Sequence, residues 1–166
     1  KIFTALRTIS DFSFNKADRT VNSPWFGQRE LIYHVEILNE IVPGSTAYWF
    51  YALYADKIVG IEKLNTSNVT NMERMFENSR LLTELDVSGF YTSNVKDMSS
   101  MFSGCVFLES LDVSGFDTSS VTNMNQMFAE CKAIESLDVS NFDTSKVDDE
   151  YGMYGMFSAC ELLKSL

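Results

Sequence analysis

Three aspartates recur every 26 residues in the second half of the chain, at Asp86, Asp112 and Asp138. A serine follows each of them by two positions, at Ser88, Ser114 and Ser140. Carboxylates repeated at one spacing attract a basic protein segment or a cation when the fold brings them to one face. The alternative is a solvated row whose repulsion is screened by water and salt. These six residues are the first candidate binding surface.

A second candidate is aromatic. Tyr48, Tyr51 and Tyr54 recur every third residue. Exposed tyrosines at such a spacing can stack on a sugar or contact a protein, because each ring joins an apolar face to a polar hydroxyl. The alternative is that these rings pack beneath the N-terminal part of the chain.

A short acidic insertion interrupts the 26-residue spacing near Asp148, Asp149 and Glu150. Hard carboxylate oxygens suit Ca²⁺, but the spacing is not that of an EF-hand loop. The three residues are therefore the candidates for a metal site, while the sequence as a whole predicts no metal and no cofactor.

Residue types suited to catalysis are scarce. The single histidine, His34, has no nucleophile motif or glycine-rich phosphate loop near it. The three cysteines, Cys105, Cys131 and Cys160, share one repeat position and lack the paired spacing of a structural zinc site. They are predicted to be buried, reduced thiols. We predict that the chain is not an enzyme.

The elements that position these residues follow from the repeat itself. A unit of 26 residues cannot enclose its own core, so each unit must fold against its neighbours. The alternation of Leu111 and Val113 with polar residues predicts a short strand. Residues 117–120 are typical of a capped turn. The spacing of apolar residues at Val121, Met124, Phe128 and Cys131 then predicts a short helix.

The predicted fold class is an α/β solenoid, a leucine-rich-repeat-like stack of 26-residue coils over residues 43–166. Residues 1–42 are predicted to form a small β-rich N-terminal cap, and the array is predicted to be truncated at its C-terminal end. The aspartates would then lie on the open face of a parallel sheet. Two columns are also expected: an internal one of Phe90, Phe116 and Phe142 continued by Leu64, and one of threonines bonding within local turns, at Thr66, Thr92, Thr118 and Thr144.

The charge distribution restricts the partners. The 166 residues carry a formal net charge of -10, and the acidic excess falls entirely in residues 59–166. Such a surface disfavours binding to a nucleic acid backbone. No stretch approaches the roughly 20 apolar residues that a membrane-spanning helix requires, so we predict no membrane span in this chain. A macromolecular partner, a host or bacterial surface protein, is expected, and the oligomeric state stays open.

The string Leu-Asp-Val-Ser-x-Phe-Asp-Thr-Ser-x-Val-Thr-Asn-Met-x-x-Met-Phe-x-x-Cys occupies residues 111–131 and recurs in close form at 85–105. It resembles the BspA-like surface proteins of bacteria, which carry leucine-rich repeats of this methionine-phenylalanine type. The segment from Ser45 to Thr70 looks like the entry to such an array, so the resemblance covers residues 43–166.

This resemblance implies a secreted or surface-anchored protein whose repeats mediate adhesion to host matrix, host cells or other bacteria. It supplies no catalytic residue. The leading hypothesis is a non-catalytic extracellular binding module that recognises a protein, or a glycan, through its repeat surface. Two alternatives stay open: a structural spacer that presents another domain and, more remotely, an enzyme that uses the N-terminal cap.

Overall fold

The computed structural model describes the backbone of residues 3–4, 32–147 and 151–166, and the side chains of the last two ranges. Three two-residue strands, β1 (Phe3–Thr4), β2 (Val35–Glu36) and β3 (Ile58–Val59), form a parallel sheet in the order β1-β2-β3. Val35 pairs with Phe3 on one side and with Ile58 on the other. A 3-10 helix, Ile61–Lys63, comes just after β3. Most of the predicted cap at residues 1–42 lies outside the described residues.

The predicted α/β solenoid of leucine-rich-repeat type is wrong. None of the described residues lies in an α-helix, and the segment predicted as a strand at 111–114 belongs to no strand. The described part of each repeat consists largely of tight turns and isolated parallel bridges, such as those of Asp97 with Asn71 and Asn123.

Backbone hydrogen bonds between repeats replace the predicted helices. The amides of residues 98, 100, 102 and 104 donate to the carbonyls of residues 123, 125, 127 and 129, at 2.8–2.9 Å. The intervening amides close turns within the repeat, as when Met101 N–H donates to the Met98 carbonyl at 3.2 Å. The same alternation joins residues 46–52 to 71–77, 72–78 to 97–103, and 124–130 to 152–158. We call these bonds between repeats the repeat ladder.

Left-handed residues explain why this segment is not a helix. Ser100 and Gly104 have φ angles of 53° and 73°, and Gln126 and Glu130 have φ angles of 54° and 58°. A non-glycine residue in this region costs roughly 1–2 kcal/mol and interrupts a right-handed helix. It also turns alternate amides outward, toward the next repeat. The hydrogen bonds gained along the repeat ladder offset the cost of the left-handed conformation.

The predicted strands fail for a different reason. The Ser114 amide, which a strand would give to its neighbour, donates instead to Oδ1 of Asp112 at 2.9 Å. Ser88 and Ser140 make the same bond to the aspartate two residues earlier. A side-chain acceptor close in sequence competes with a ladder for the backbone amide. The residues still alternate between buried and exposed, as they would on a strand, with Leu111 and Val113 buried.

The centre of the core is a column of phenylalanine rings from consecutive repeats. Neighbouring rings are nearly parallel, with centroids 5.4–5.7 Å apart along Phe50, Phe76, Phe102, Phe128 and Phe157. The predicted column lies beside this stack, with Phe90 and Phe116 buried as predicted and Phe142 half-buried. Its rings lie 6.4–6.5 Å from those of the stack, in the pairs Phe76–Phe90, Phe102–Phe116 and Phe128–Phe142.

Buried threonines provide a second link between repeats. The Thr118 hydroxyl donates to the Asp143 carbonyl at 3.1 Å and accepts from the Asp143 amide at 2.7 Å. Thr66 and Thr92 make the same pair of bonds to Tyr91 and Asp117. These hydroxyls therefore bond to the next repeat, and not within the local turn as the sequence predicted.

Replacing Thr118 by valine is expected to lower the free energy of unfolding by about 1–2 kcal/mol, because the Asp143 amide and carbonyl lose their hydrogen-bond partner. Asp143 is exposed, so water replaces part of the lost hydrogen bonding. The measurements are the urea midpoint and the hydrogen exchange rate of the Asp143 amide. The control, Thr118→Ser, keeps the hydroxyl and should preserve protection of that amide. Equal exchange rates in the two variants would refute the bridging role.

Candidate functional site

The predicted aspartate row is exposed, but it does not lie on a β-sheet. Asp86, Asp112 and Asp138 are all exposed, as are Ser88, Ser114 and Ser140. Each aspartate Oδ1 accepts the amide of the serine two residues later, at 2.9–3.0 Å. Because this bond fixes one carboxylate oxygen against the backbone, the carboxylates are held in equivalent orientations in successive repeats.

A second file of carboxylates was missed at the level of sequence. Asp117 and Asp143 are exposed, and their Oδ1 atoms accept the amides of Ser119 and Ser145 at 3.0 and 2.8 Å. Their backbone amides are held by the buried threonines of the preceding repeat. The sequence signal for this second file is an aspartate directly after the phenylalanine of the repeat, a pattern that a capped turn also explains. We call the five residues Asp86, Asp112, Asp117, Asp138 and Asp143 the aspartate surface.

Hydrogen bonds favour the ionised form of the aspartate surface. Bonds from the following serine, side chain first and backbone second, hold the pKa of each of the five carboxyl groups below its usual value. Neighbouring carboxylates act in the opposite sense: the charges of Asp86 and Asp138 both raise the pKa of Asp112, but by less than its serine lowers it. The bonds to serine therefore outweigh the repulsion.

Acid should weaken the fold through these groups. An aspartate whose pKa is lower in the folded state contributes stability above its unfolded pKa of about 3.9, and that contribution is lost as the pH falls through the folded pKa.

Replacing Ser88 by alanine is expected to raise the pKa of Asp86, because the bond from Ser88 Oγ to Asp86 Oδ1 at 2.7 Å is removed. Carboxyl-detected NMR titration measures the change. Asp138, whose pKa is lowered by its own Ser140, is the internal control, and an unchanged pKa of Asp86 would contradict the assignment.

An open groove of about 480 Å³ lies beside the aspartate surface. The described residues that line it include Glu62, Glu84, Asp86 and Asp112, and Lys57 is the one cationic side chain among them. Ile58, Val59 and Leu85 supply apolar contacts within it. The groove therefore combines an apolar surface with an excess of negative charge.

The predicted tyrosine strip is divided by the fold and lies on no helix. Tyr48 is half-buried, and its hydroxyl donates to Glu73 Oε1 at 3.1 Å while the Arg74 guanidinium lies 5.9 Å from its ring centroid. Burial, followed by the charge of Glu73, raises the pKa of Tyr48 to about 12. Its ring centroid is 5.7 Å from that of Tyr51. Tyr51 and Tyr54 line a different groove from the one beside Asp86.

The candidate metal ligands Asp148, Asp149 and Glu150 lie outside the described residues. Within residues 32–147 and 151–166, no group of three or more histidine, cysteine or acidic side chains is arranged to hold a metal ion. His34 is half-buried and directly precedes β2.

The three cysteine thiols link consecutive repeats through hydrogen bonds. Cys105, Cys131 and Cys160 are free thiols, and each Sγ donates to a phenylalanine carbonyl of the preceding repeat at 3.0–3.3 Å. Ser79 makes the equivalent bond one repeat earlier. Burial raises the pKa of Cys105 to about 12 and also raises those of Cys131 and Cys160. Since the thiolate is the nucleophile, this environment disfavours thiol chemistry.

The described part of the chain contains no helix that is long and apolar enough to cross a membrane. Residues 45–165 match a protein family described as "Mycoplasma protein of unknown function, DUF285". No curated protein and no solved structure matches the chain.

Proposed function

The chain belongs to the DUF285 family, and since that description assigns no function, we propose from the surface of the chain that it is a non-catalytic binding module. Its partner is a protein that presents a basic segment, and the aspartate surface is the main contact. In keeping with the resemblance to BspA-like proteins, the module acts outside the cell or anchored to its surface and mediates adhesion.

The observation that carries this proposal is the preset orientation of the five exposed carboxylates. Each is fixed by a hydrogen bond to its own backbone, so binding costs little further side-chain ordering. Hydrogen bonds from the same serine residues lower the pKa of each carboxyl group and so favour its charged form. A cationic partner would also relieve the repulsion between Asp112 and its neighbours.

The alternative is a structural spacer that presents another domain. The continuous repeat ladder supports it, because a series of hydrogen-bonded repeats forms a stiff element. A spacer does not depend on aligned charges. Neutralising the aspartates should therefore weaken partner binding if the chain is a binding module and leave it unchanged if the chain is a spacer.

The test replaces Asp86, Asp112 and Asp138 together by asparagine. Asparagine can preserve the local fold, because Asn71 and Asn123 already accept the amide two residues later, at 2.7 and 3.0 Å. The chain and the variant are applied to immobilised host matrix proteins and to a lysine-rich peptide. We expect the chain to bind in a salt-dependent manner and the variant to bind at least about tenfold more weakly, because three charge contacts are lost.

The matched control removes the same charge elsewhere, through Asp56→Asn, Glu130→Gln and Glu135→Gln. All three positions are exposed and lie outside the aspartate surface. This control should bind as the unchanged chain does. Equal weakening in both variants would reduce the effect to net charge, and unchanged binding in the asparagine variant would favour the spacer.

A further inference from the structure

A second groove, of about 580 Å³, lies where the turns of three repeats meet at one edge of the molecule. Its positions correspond across repeats, since Tyr54, Arg80 and Val106 are each 26 residues apart, as are Leu81 and Phe107. The groove is distinct from the aspartate surface, because none of the five aspartates lines it. Its principal lining residues are Tyr51, Tyr54, Asn78, Arg80, Leu81 and Phe107.

Three aromatic or aliphatic side chains of this groove are exposed to solvent. Phe107 is 56% exposed, Tyr54 44% and Leu81 39%. Single exposed apolar residues are common on protein surfaces, but a contiguous group in consecutive repeats marks a contact surface. Aromatic residues and arginine are also the residue types most enriched at protein interfaces.

The charge of the groove is opposite to that of the chain. Among the described residues that line it, Arg80 alone is charged, whereas the chain as a whole carries a formal charge of -10. Among the residues that the structure describes, Arg80 forms no ion pair; the cations that do are Arg74, Lys132 and Lys164. The groove is therefore complementary to an acidic ligand.

The balance of polar and apolar groups indicates the class of ligand. Aliphatic side chains, including Leu53, Leu81 and Val106, make up much of the lining. The polar side chains among the described lining residues are Asn78, Arg80 and the two tyrosines, which are few for a sugar that must have most of its hydroxyl groups bonded. An apolar side chain next to a carboxylate matches this surface better.

We infer that this groove is a docking site for an acidic protein segment, which places an apolar side chain against Leu81 and Phe107 and a carboxylate against Arg80. The site is independent of the aspartate surface and takes a ligand of opposite charge. A chain with both sites can bind a basic partner and an acidic partner at the same time.

The test is an NMR titration of the intact chain with the peptide acetyl-Glu-Phe-Glu-Leu-amide. We expect saturable shifts of the amide signals of Tyr54, Asn78, Leu81 and Phe107. Phe107→Ser and Arg80→Glu should each weaken binding at least about tenfold, because each removes one of the two anchors. The same peptide with lysine in place of glutamate should not bind there.

The matched control is Tyr91→Ser, since Tyr91 is 65% exposed and does not line the groove. This variant should bind as the unchanged chain does. Shifts that do not saturate, equal shifts with the lysine peptide, or full binding by both groove variants would each overturn the inference. A saccharide that displaces the peptide at the same residues would overturn the ligand class. The three asparagine substitutions at Asp86, Asp112 and Asp138 should leave this titration unchanged, which separates it from the proposed function.

Discussion

Replacing Phe102 by alanine is expected to lower the free energy of unfolding by about 3–5 kcal/mol. Phe102 is fully buried, and its ring stacks on those of Phe76 and Phe128 at 5.6 and 5.7 Å. Removing the Phe102 ring leaves a cavity between the rings of Phe76 and Phe128 and interrupts the column of stacked rings. Urea denaturation, followed by fluorescence and circular dichroism, measures the loss.

The end of the column supplies the control. Phe157 is only half-buried, and among the described residues it stacks on one ring, that of Phe128. Its replacement by alanine should cost about 1–2 kcal/mol, because a partly exposed ring loses less buried area and leaves no closed cavity. Equal losses at the two positions would contradict a stacked core.

Replacing Gly60 by alanine is expected to lower the free energy of unfolding by about 2–5 kcal/mol, from the left-handed conformation and the displaced backbone together. Gly60 has a φ angle of 78°, and a Cβ atom placed on it would lie 2.3 Å from the Ile37 carbonyl oxygen. The loss should appear as a lower urea midpoint. The clash involves backbone next to β2 and β3, so no side-chain rotation can relieve it.

The glycine of the repeat motif provides a matched control for this substitution. Within the part of the chain that the structure describes, no atom lies within 4 Å of a Cβ atom placed on Gly89, and the φ angle of Gly89 is not positive. Alanine there should change the free energy of unfolding by less than about 1 kcal/mol. If Gly60→Ala proved as mild as Gly89→Ala, the close approach of the chain at Ile37 would be wrong.

Burial could be predicted from the sequence, but the secondary structure could not. Val121, Met124, Phe128 and Cys131 are buried. Their spacing of three, four and three residues fits one face of an α-helix, but it also fits consecutive turns of four residues. The left-handed φ angles at Gln126 and Glu130 distinguish consecutive turns from a helix. Glutamine and glutamate rarely adopt this conformation, so their presence in the sequence does not predict it.

For the candidate site, too, the sequence predicted exposure but not the local backbone structure. The alternation of Asp112 and Ser114 with apolar residues correctly placed both side chains in solvent. It did not show that the Asp112 carboxylate would take the Ser114 amide and so prevent a sheet from forming. The sequence did not identify Asp117 as a site residue, because an aspartate at this position is also typical of a capped turn.

The repeat ladder joins each repeat to the next, and NMR scalar couplings across hydrogen bonds test it most directly. We expect couplings from the amides of Ser100 and Phe102 to the carbonyls of residues 125 and 127 in the next repeat. Couplings from the same amides to carbonyls four residues earlier would show a helix and contradict the account.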